Sequence, residues 1–150
     1  MGVKLERIVK TYYDKLDEGK IMARKCKDCG AVEWPPLLGC NTCGSTEMEW
    51  VEISGKATLV QFVMPSPITR KPEMDFIKPY ALGVVELPEG PAVNVMIRGI
   101  DRKNKDIVKE QMPVACHATI VQKDEDYKTV IFDLDVVPEG KKRERKPKAE

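Results

Sequence analysis

Four of the five cysteines stand in two matching frames, Cys26-Lys27-Asp28-Cys29-Gly30 and Cys40-Asn41-Thr42-Cys43-Gly44, with ten residues between the pairs. Four soft thiolates suit tetrahedral Zn²⁺ and leave no position open for water or substrate, so the chemistry is structural rather than catalytic. Four thiolates also bind iron, which is the competing metal. In either case the metal's work is folding, because the segment from residue 21 to residue 48 is too short to build much core of its own. The fifth cysteine, Cys116, makes the count odd. Disulfide pairing would leave one thiol over, and a reducing compartment favours metal ligation for closely spaced pairs.

Other candidate groups are weaker. Cys116 beside His117 suggests a nucleophile and its base, but neighbours on a strand point to opposite faces. Cys116 alternates with Val114, Ala118 and Ile120, which places it inside the domain and His117 outside it. Arg70, Lys71 and Lys78 lie in the proline-bounded loop 65–79, where they are positioned to hold the phosphates of a nucleotide-like ligand. Met64, Met74, Phe76 and Ile77 of the same region offer apolar contact for an acyl or pantetheine arm. The same residues also suit an ordinary solvated loop.

The elements that must position these groups follow from periodicity. Leu5, Ile8, Val9, Tyr12, Tyr13 and Leu16 recur at helical spacing over residues 3–18, and Gly19 ends the helix. The cysteine module occupies 21–48, with Pro35-Pro36 enforcing a loop or edge hairpin between its two knuckles. Strand-like alternation then marks 50–64, 80–87, 92–98, 114–123 and 127–137. Gly55 interrupts the first of these, as expected where a strand bends to serve both halves of a barrel. Residues 99–113 leave room for a short helix before the fourth strand.

The resulting order, β-β-β-α-β-β, is that of an OB-fold, a five-stranded Greek-key barrel. The reading is therefore mainly β: a helix over 1–20, a zinc ribbon over 21–48, a barrel over 49–138 and a basic tail over 139–150.

Charge and composition narrow the function classes. With 42% hydrophobic and 33% charged residues the chain reads as a globular protein, and no apolar run reaches the length of a membrane span. The N-terminal stretch lacks the apolar block of a signal peptide, so a cytoplasmic location is expected. The net charge of +1 hides an asymmetry: residues 139–150 hold six Lys or Arg against three Glu, so the tail carries +3 and the remainder −2. A body that is not basic disfavours nucleic-acid binding. So does the scarcity of stacking groups, since Tyr80 and Arg98 are the obvious candidates on the second and third barrel strands. A stand-alone enzyme or redox protein would need an open metal position, a general base or an exposed cofactor, and none is evident.

The ordered set of both cysteine frames, Trp34-Pro35-Pro36, Trp50-Val51-Glu52-Ile53-Ser54-Gly55, Lys78-Pro79-Tyr80 and Val85-Glu86-Leu87-Pro88-Glu89-Gly90 resembles one family. It is similar to the acyl-CoA-associated OB-fold proteins that carry a rubredoxin-like zinc ribbon. The resemblance runs from the helix to about Val137 and lies in the combination of fragments rather than in any one. It implies a non-catalytic accessory subunit of a thiolase-like or hydroxymethylglutaryl-CoA synthase-like enzyme, with the barrel helping to hold CoA or an acyl-CoA. It further implies that Cys26, Cys29, Cys40 and Cys43 are the zinc ligands, that the nucleophile and acid/base groups sit on the partner, and that helix and ribbon dock onto it. The basic tail has no counterpart in the family pattern.

Overall fold

The computed structural model describes residues 7–68, 72–77 and 79–140. Helix α1 (Arg7–Asp17) leads into a three-stranded antiparallel sheet of β1 (Met22–Cys26), β2 (Val32–Glu33) and β3 (Met48–Glu52), in the order β2-β1-β3. The barrel follows: β4 (Lys56–Val63), β5 (Tyr80–Glu86), β6 (Ala92–Arg98), β7 (Val114–Gln122) and β8 (Lys128–Leu134). These close in the order β4-β5-β6-β8-β7. Helix α2 (Lys105–Gln111) bridges β6 and β7, and a short 3₁₀ helix (Pro72–Ile77) lies in the β4–β5 connection. The mainly β fold, with an N-terminal ribbon and a C-terminal OB-fold, agrees with the sequence reading. No helix among the described residues is long and apolar enough to cross a membrane.

Helix α1 stops at Gly19, whose φ of 80° only glycine adopts cheaply. Its N–H donates to Leu16 O while that of Lys20 donates to Lys15 O, closing the last turn with the paired bonds of a Schellman cap. The buried face of α1 is narrow. Leu16 enters the core, while Tyr12 and Tyr13 pack half-buried against it. The Tyr13 ring sits 5.2 Å from that of Tyr127, just ahead of β8.

One expectation needs correction. Residues 50–64 are not a single bent strand of the barrel. They form two strands in two sheets: β3 pairs with β1 of the ribbon, Trp50 opposite Arg24, whereas β4 belongs to the barrel. Gly55, at φ 81°, is the joint between them, since a residue in the left-handed region cannot continue a ladder. Its carbonyl accepts from Ala118 N–H at 2.7 Å, which pins the joint to β7. The strand that serves both halves of the barrel is β4 alone. It pairs with β7 through Leu59 and with β5 up to Val63, and the register shift between Leu59 and Gln61 supplies the bend.

The core is the barrel interior extended by the ribbon. Leu59, Val85, Ile97, Phe132 and Val108 are buried together, and Ile21, Ala23, Trp34 and Ile53 join the same cluster from the ribbon side. Trp34 meets Phe132 edge to face, ring centroids 6.0 Å apart. Gly83 has no room for a side chain, because a Cβ there would come within 2.8 Å of Leu59 Cδ1.

Candidate functional site: a sulfur cluster and an aromatic groove

The two knuckles are built alike. Gly30 N–H donates to Cys26 O and Gly44 N–H to Cys40 O, each at 2.9 Å, and both glycines take φ near 77°. Each tight turn aims its backbone at sulfur. Cys29 N–H points to Cys26 Sγ at 3.5 Å and Thr42 N–H to Cys40 Sγ at 3.4 Å. These backbone donors favour thiolate: the N–H of Cys29 leads in lowering the Cys26 thiol, and that of Cys43 leads in bringing Cys40 down to about 7.

The four sulfurs lie within 4.8 Å of one another, with the closest pairs, Cys26–Cys43 and Cys29–Cys40, at 3.5 Å. A tetrahedron with Zn–S bonds of about 2.3 Å has S···S edges of about 3.8 Å, so the donor set fits the ion. All four thiols are free of disulfides. The chain thus carries a rubredoxin-like ribbon with four cysteines clustered for a metal ion, consistent with structural zinc. Cys26 and Cys40 are buried, and with Met48 they make up most of the apolar cluster at this end of the ribbon.

The second feature was not foreseen. A groove of about 790 Å³ runs where α1, the ribbon and the barrel meet, lined by Tyr12 and Tyr13, by Trp34 and Pro35, and by Phe62, Leu82, Met96 and Ile131 among others. It exists because β6 and β8 join through just two register pairs, Ile97 with Phe132 and Arg98 with Asp133. Ahead of that junction the two strands lack pairing with each other, and α1 and the Trp34 corner lie over the gap. Four of the nine aromatic residues line this one groove. Adjacent tyrosines on the buried face of a short helix were the available signal, and periodicity counted them as core.

Trp34 is 7% exposed, and its indole nitrogen has no partner in hydrogen-bond geometry. The Tyr12 hydroxyl interacts with the same indole, and burial, which outweighs that contact, pushes the phenol up to about 12. The hydroxyl therefore keeps its proton throughout the physiological range.

The other sequence candidates fall as follows. Arg70, Lys71 and Lys78 lie outside the described residues, as does the tail beyond Gly140. The loop that carries the three cations nevertheless borders the groove, through Glu73. Of the apolar residues assigned to a ligand arm, Phe76 is exposed, but Ile77 is buried against Tyr80 and Ile131 and serves packing.

Cys116 is inside the barrel at 2% exposure, and burial pushes its thiol up to about 12. His117 is on the opposite face, with Nδ1 at 2.7 Å from Asp135 Oδ1. The two do not form a catalytic pair. Tyr80 is buried, and Arg98 is held by two bonds to Asp133, Nε at 2.6 Å and Nη2 at 2.8 Å. Both groups considered for nucleic-acid stacking are thus committed to the fold.

A cysteine-clustered ribbon feeding a five-stranded barrel defines the class as a zinc-ribbon and OB-fold protein. Two family models match in that order, "ChsH2, rubredoxin-like zinc ribbon domain" over residues 14–49 and "ChsH2, C-terminal OB-fold domain" over 50–119. The chain thus carries both ChsH2 domains, in that order, over residues 14–119.

Similar proteins include a "DUF35 domain-containing scaffold protein" of Pyrococcus furiosus, 30% identical over 63% of this chain and 65% of that one. The match thus spans a little under two thirds of that protein's length. A protein of the same description from Methanocaldococcus jannaschii is 27% identical over 71% of this chain and 77% of its own. A "probable enoyl-CoA hydratase alpha subunit" of Thermomonospora curvata is 25% identical over 69% of this chain and 30% of its own. Among solved structures, one titled "Ltp2-ChsH2(DUF35) aldolase" aligns at TM-score 0.68 and 20% identity, covering 90% of this chain and all of the matched one. That likeness establishes the fold.

Proposed function

We propose that this chain is a non-catalytic scaffold subunit for an enzyme that acts on CoA thioesters. Its expected partner is a thiolase-like or hydroxymethylglutaryl-CoA synthase-like subunit. In this reading the ribbon is held rigid by Zn²⁺ on Cys26, Cys29, Cys40 and Cys43, and the barrel contributes one wall of the thioester site. The partner supplies the nucleophile and the acid/base groups, and assembly orients the thioester by giving it contacts on both subunits.

The observation that carries the proposal is the groove itself. It needs all three elements to exist, its volume is in the range of small-molecule clefts, and its lining is aromatic and aliphatic with polar groups at the edge. Arg70, Lys71 and Lys78, on the bordering loop, are proposed to meet the CoA phosphates. Two further observations support a non-catalytic role. The thiol outside the metal cluster is buried and protonated, and the single histidine is bonded to Asp135 on the outer face. The scaffold-protein names of two relatives point the same way, and the enoyl-CoA hydratase subunit name of a third supports the CoA-thioester context.

The test is affinity purification of the full chain from its native host, with metal analysis and mass spectrometry. A thiolase-like or synthase-like subunit and one zinc per chain are expected. Recovery alone, or with RNA or DNA-handling proteins and no acyl-CoA enzyme, overturns the proposal in favour of single-strand binding.

A further inference from the structure

The gap between β6 and β8 leaves backbone groups without ladder partners, and the register tells which. In an antiparallel pair every second residue exchanges both backbone bonds with the facing strand, and the residues between turn theirs to the other side. Leu87 N–H donates to Pro91 O and Gly99 N–H to Pro79 O, in phase with the β5–β6 register, so Val93, Val95 and Ile97 bond to β5. Ala92, Asn94, Met96 and Arg98 therefore direct their N–H and C=O groups toward β8. On β8, Lys123 N–H donates to Tyr127 O and Asp135 N–H to Ala115 O, so Thr129, Ile131 and Asp133 bond to β7. Val130 and Phe132 face β6.

The two parallel pairs, Ile97 with Phe132 and Arg98 with Asp133, engage Phe132, Arg98 and the Met96 carbonyl. The next bond of the series would run from Met96 N–H to Val130 O, and the register stops before it. The N–H groups of Asn94 and Met96 and the Val130 carbonyl are left facing the gap, and no other hydrogen bond engages them among the described residues. Asn94, Val95 and Met96 line the groove on one side and Thr129, Val130 and Ile131 on the other. Side chains alternate along a strand, so three consecutive residues border one groove where it meets the backbone edge. None of Asn94, Met96 and Val130 is buried, so the edge is open to an incoming group.

Two open edges, one offering donors and the other an acceptor, define their ligand. A trans secondary amide carries its N–H and C=O on opposite sides, so between two strand edges it accepts from one wall and donates to the other. A carboxylate or an ester has no donor for Val130. The surrounding walls are Tyr12, Phe62, Leu82 and Ile131, so the amide must arrive on a chain that is otherwise apolar. The arm of a CoA thioester is such a chain, two secondary amides joined to the acyl group by short methylene spacers.

We propose that the slot between β6 and β8 binds the pantetheine arm through its secondary amides, with Asn94 and Met96 N–H as donors and Val130 C=O as acceptor. This rests on the CoA-thioester reading above and adds to it the part of the ligand that is recognised and the groups that recognise it. The role is binding and orientation, and because the groups are backbone, no side-chain motif announces them.

The experiment uses the full-length chain and two ligands: S-hexanoyl-pantetheine, and the analogue in which the N–H of the amide nearest the thioester is replaced by oxygen. Both are titrated calorimetrically, with hexanoyl-CoA alongside, into the chain alone and with whichever partner co-purifies. The amide is expected to bind about tenfold more tightly than the ester, the usual worth of one well-made hydrogen bond to a ligand. Amide hydrogen exchange reads the donors directly. In the free chain Asn94 and Met96 should exchange fast while Val93, Val95 and Ile97 are protected, and saturating hexanoyl-CoA should slow Asn94 and Met96.

If hexanoyl-CoA binds but amide and ester bind equally, or exchange at Asn94 and Met96 is unchanged in the bound chain, the amide slot is overturned and the CoA reading stands. Binding of no thioester, alone or in complex, overturns both, and protection of the same amides by a capped extended peptide would then give the slot to a partner's strand.

Discussion

The two ends of the ribbon are held by different physics. Toward the barrel, Ile21, Ala23, Trp34 and Ile53 merge with the core that fills the barrel, so this end is stabilised by burial. Toward the knuckles, the apolar cluster is Cys26, Cys40 and Met48, two of which are sulfur donors, and little else is buried there. One end would survive loss of the metal and the other would not. The difference explains how a very small module can be a rigid platform: an ion does at its tip what burial against the barrel core does at its base.

The sharpest way to break this comparison is to remove the ion. Chelation, or Cys40→Ser, should abolish metal binding and melt residues 26–46, since thiolate ligation of a structural zinc contributes about 10–16 kcal/mol in comparable peptides. Amide hydrogen exchange should show protection lost in the knuckles and kept in the barrel strands. Protection lost throughout would show that the two ends are one cooperative unit. In the metal-loaded native protein no thiol should react quickly with a chromogenic disulfide, because Cys116 is buried and protonated. After chelation four should react.

From the other side, Phe132→Ala should cost about 3–5 kcal/mol by opening a cavity under Trp34 while leaving one zinc per chain. Denaturant unfolding and metal analysis read the two effects separately.

A smaller effect concerns the joint. Gly55→Ala forces a side chain into the left-handed region and should cost about 1–2 kcal/mol, visible as a lower urea midpoint with an unchanged slope.

The smallest effect is electrostatic. Burial works against the Asp133 carboxylate, but the Arg98 and Thr119 hydrogen bonds prevail and hold it below the usual carboxylate range. A lowered folded-state value means that the unfolded chain binds the proton first as pH falls. The contribution is therefore complete above the ordinary carboxylate range and is lost as pH drops through the lower folded value. Asp133→Asn should flatten that acid limb while reducing stability at pH 7 by about 1 kcal/mol, a modest figure for a partly buried pair. An unchanged acid limb would remove Asp133 from this account.

Much of this could be read before folding was considered. The cysteine frames are local: each turn places its own two sulfurs, and the chemistry of four thiolates leaves few choices of ion. Barrel strands β5 to β8 carry their alternation within a few consecutive residues, as does α2 its glycine- and proline-bounded slot. Cys116 inside and His117 outside follow from the period of two.

What failed was everything that depends on a partner distant in the chain. Alternation marks 50–64 as extended but says nothing about which neighbour each half will find, and the halves found different sheets. Tyr80 and Arg98 look free as letters, yet Ile77 and Ile131 bury the one and Asp133 holds the other. The groove is the extreme case. Tyr12, Trp34, Phe62 and Ile131 span most of the chain, and no local pattern links them.

By itself the sequence determined the four-thiolate metal site and the order of helix, ribbon and barrel, because these depend on short-range geometry and on donor chemistry. The tertiary structure alone decided the groove, because a cleft is made by how elements pack and by the short junction where β6 and β8 stop pairing.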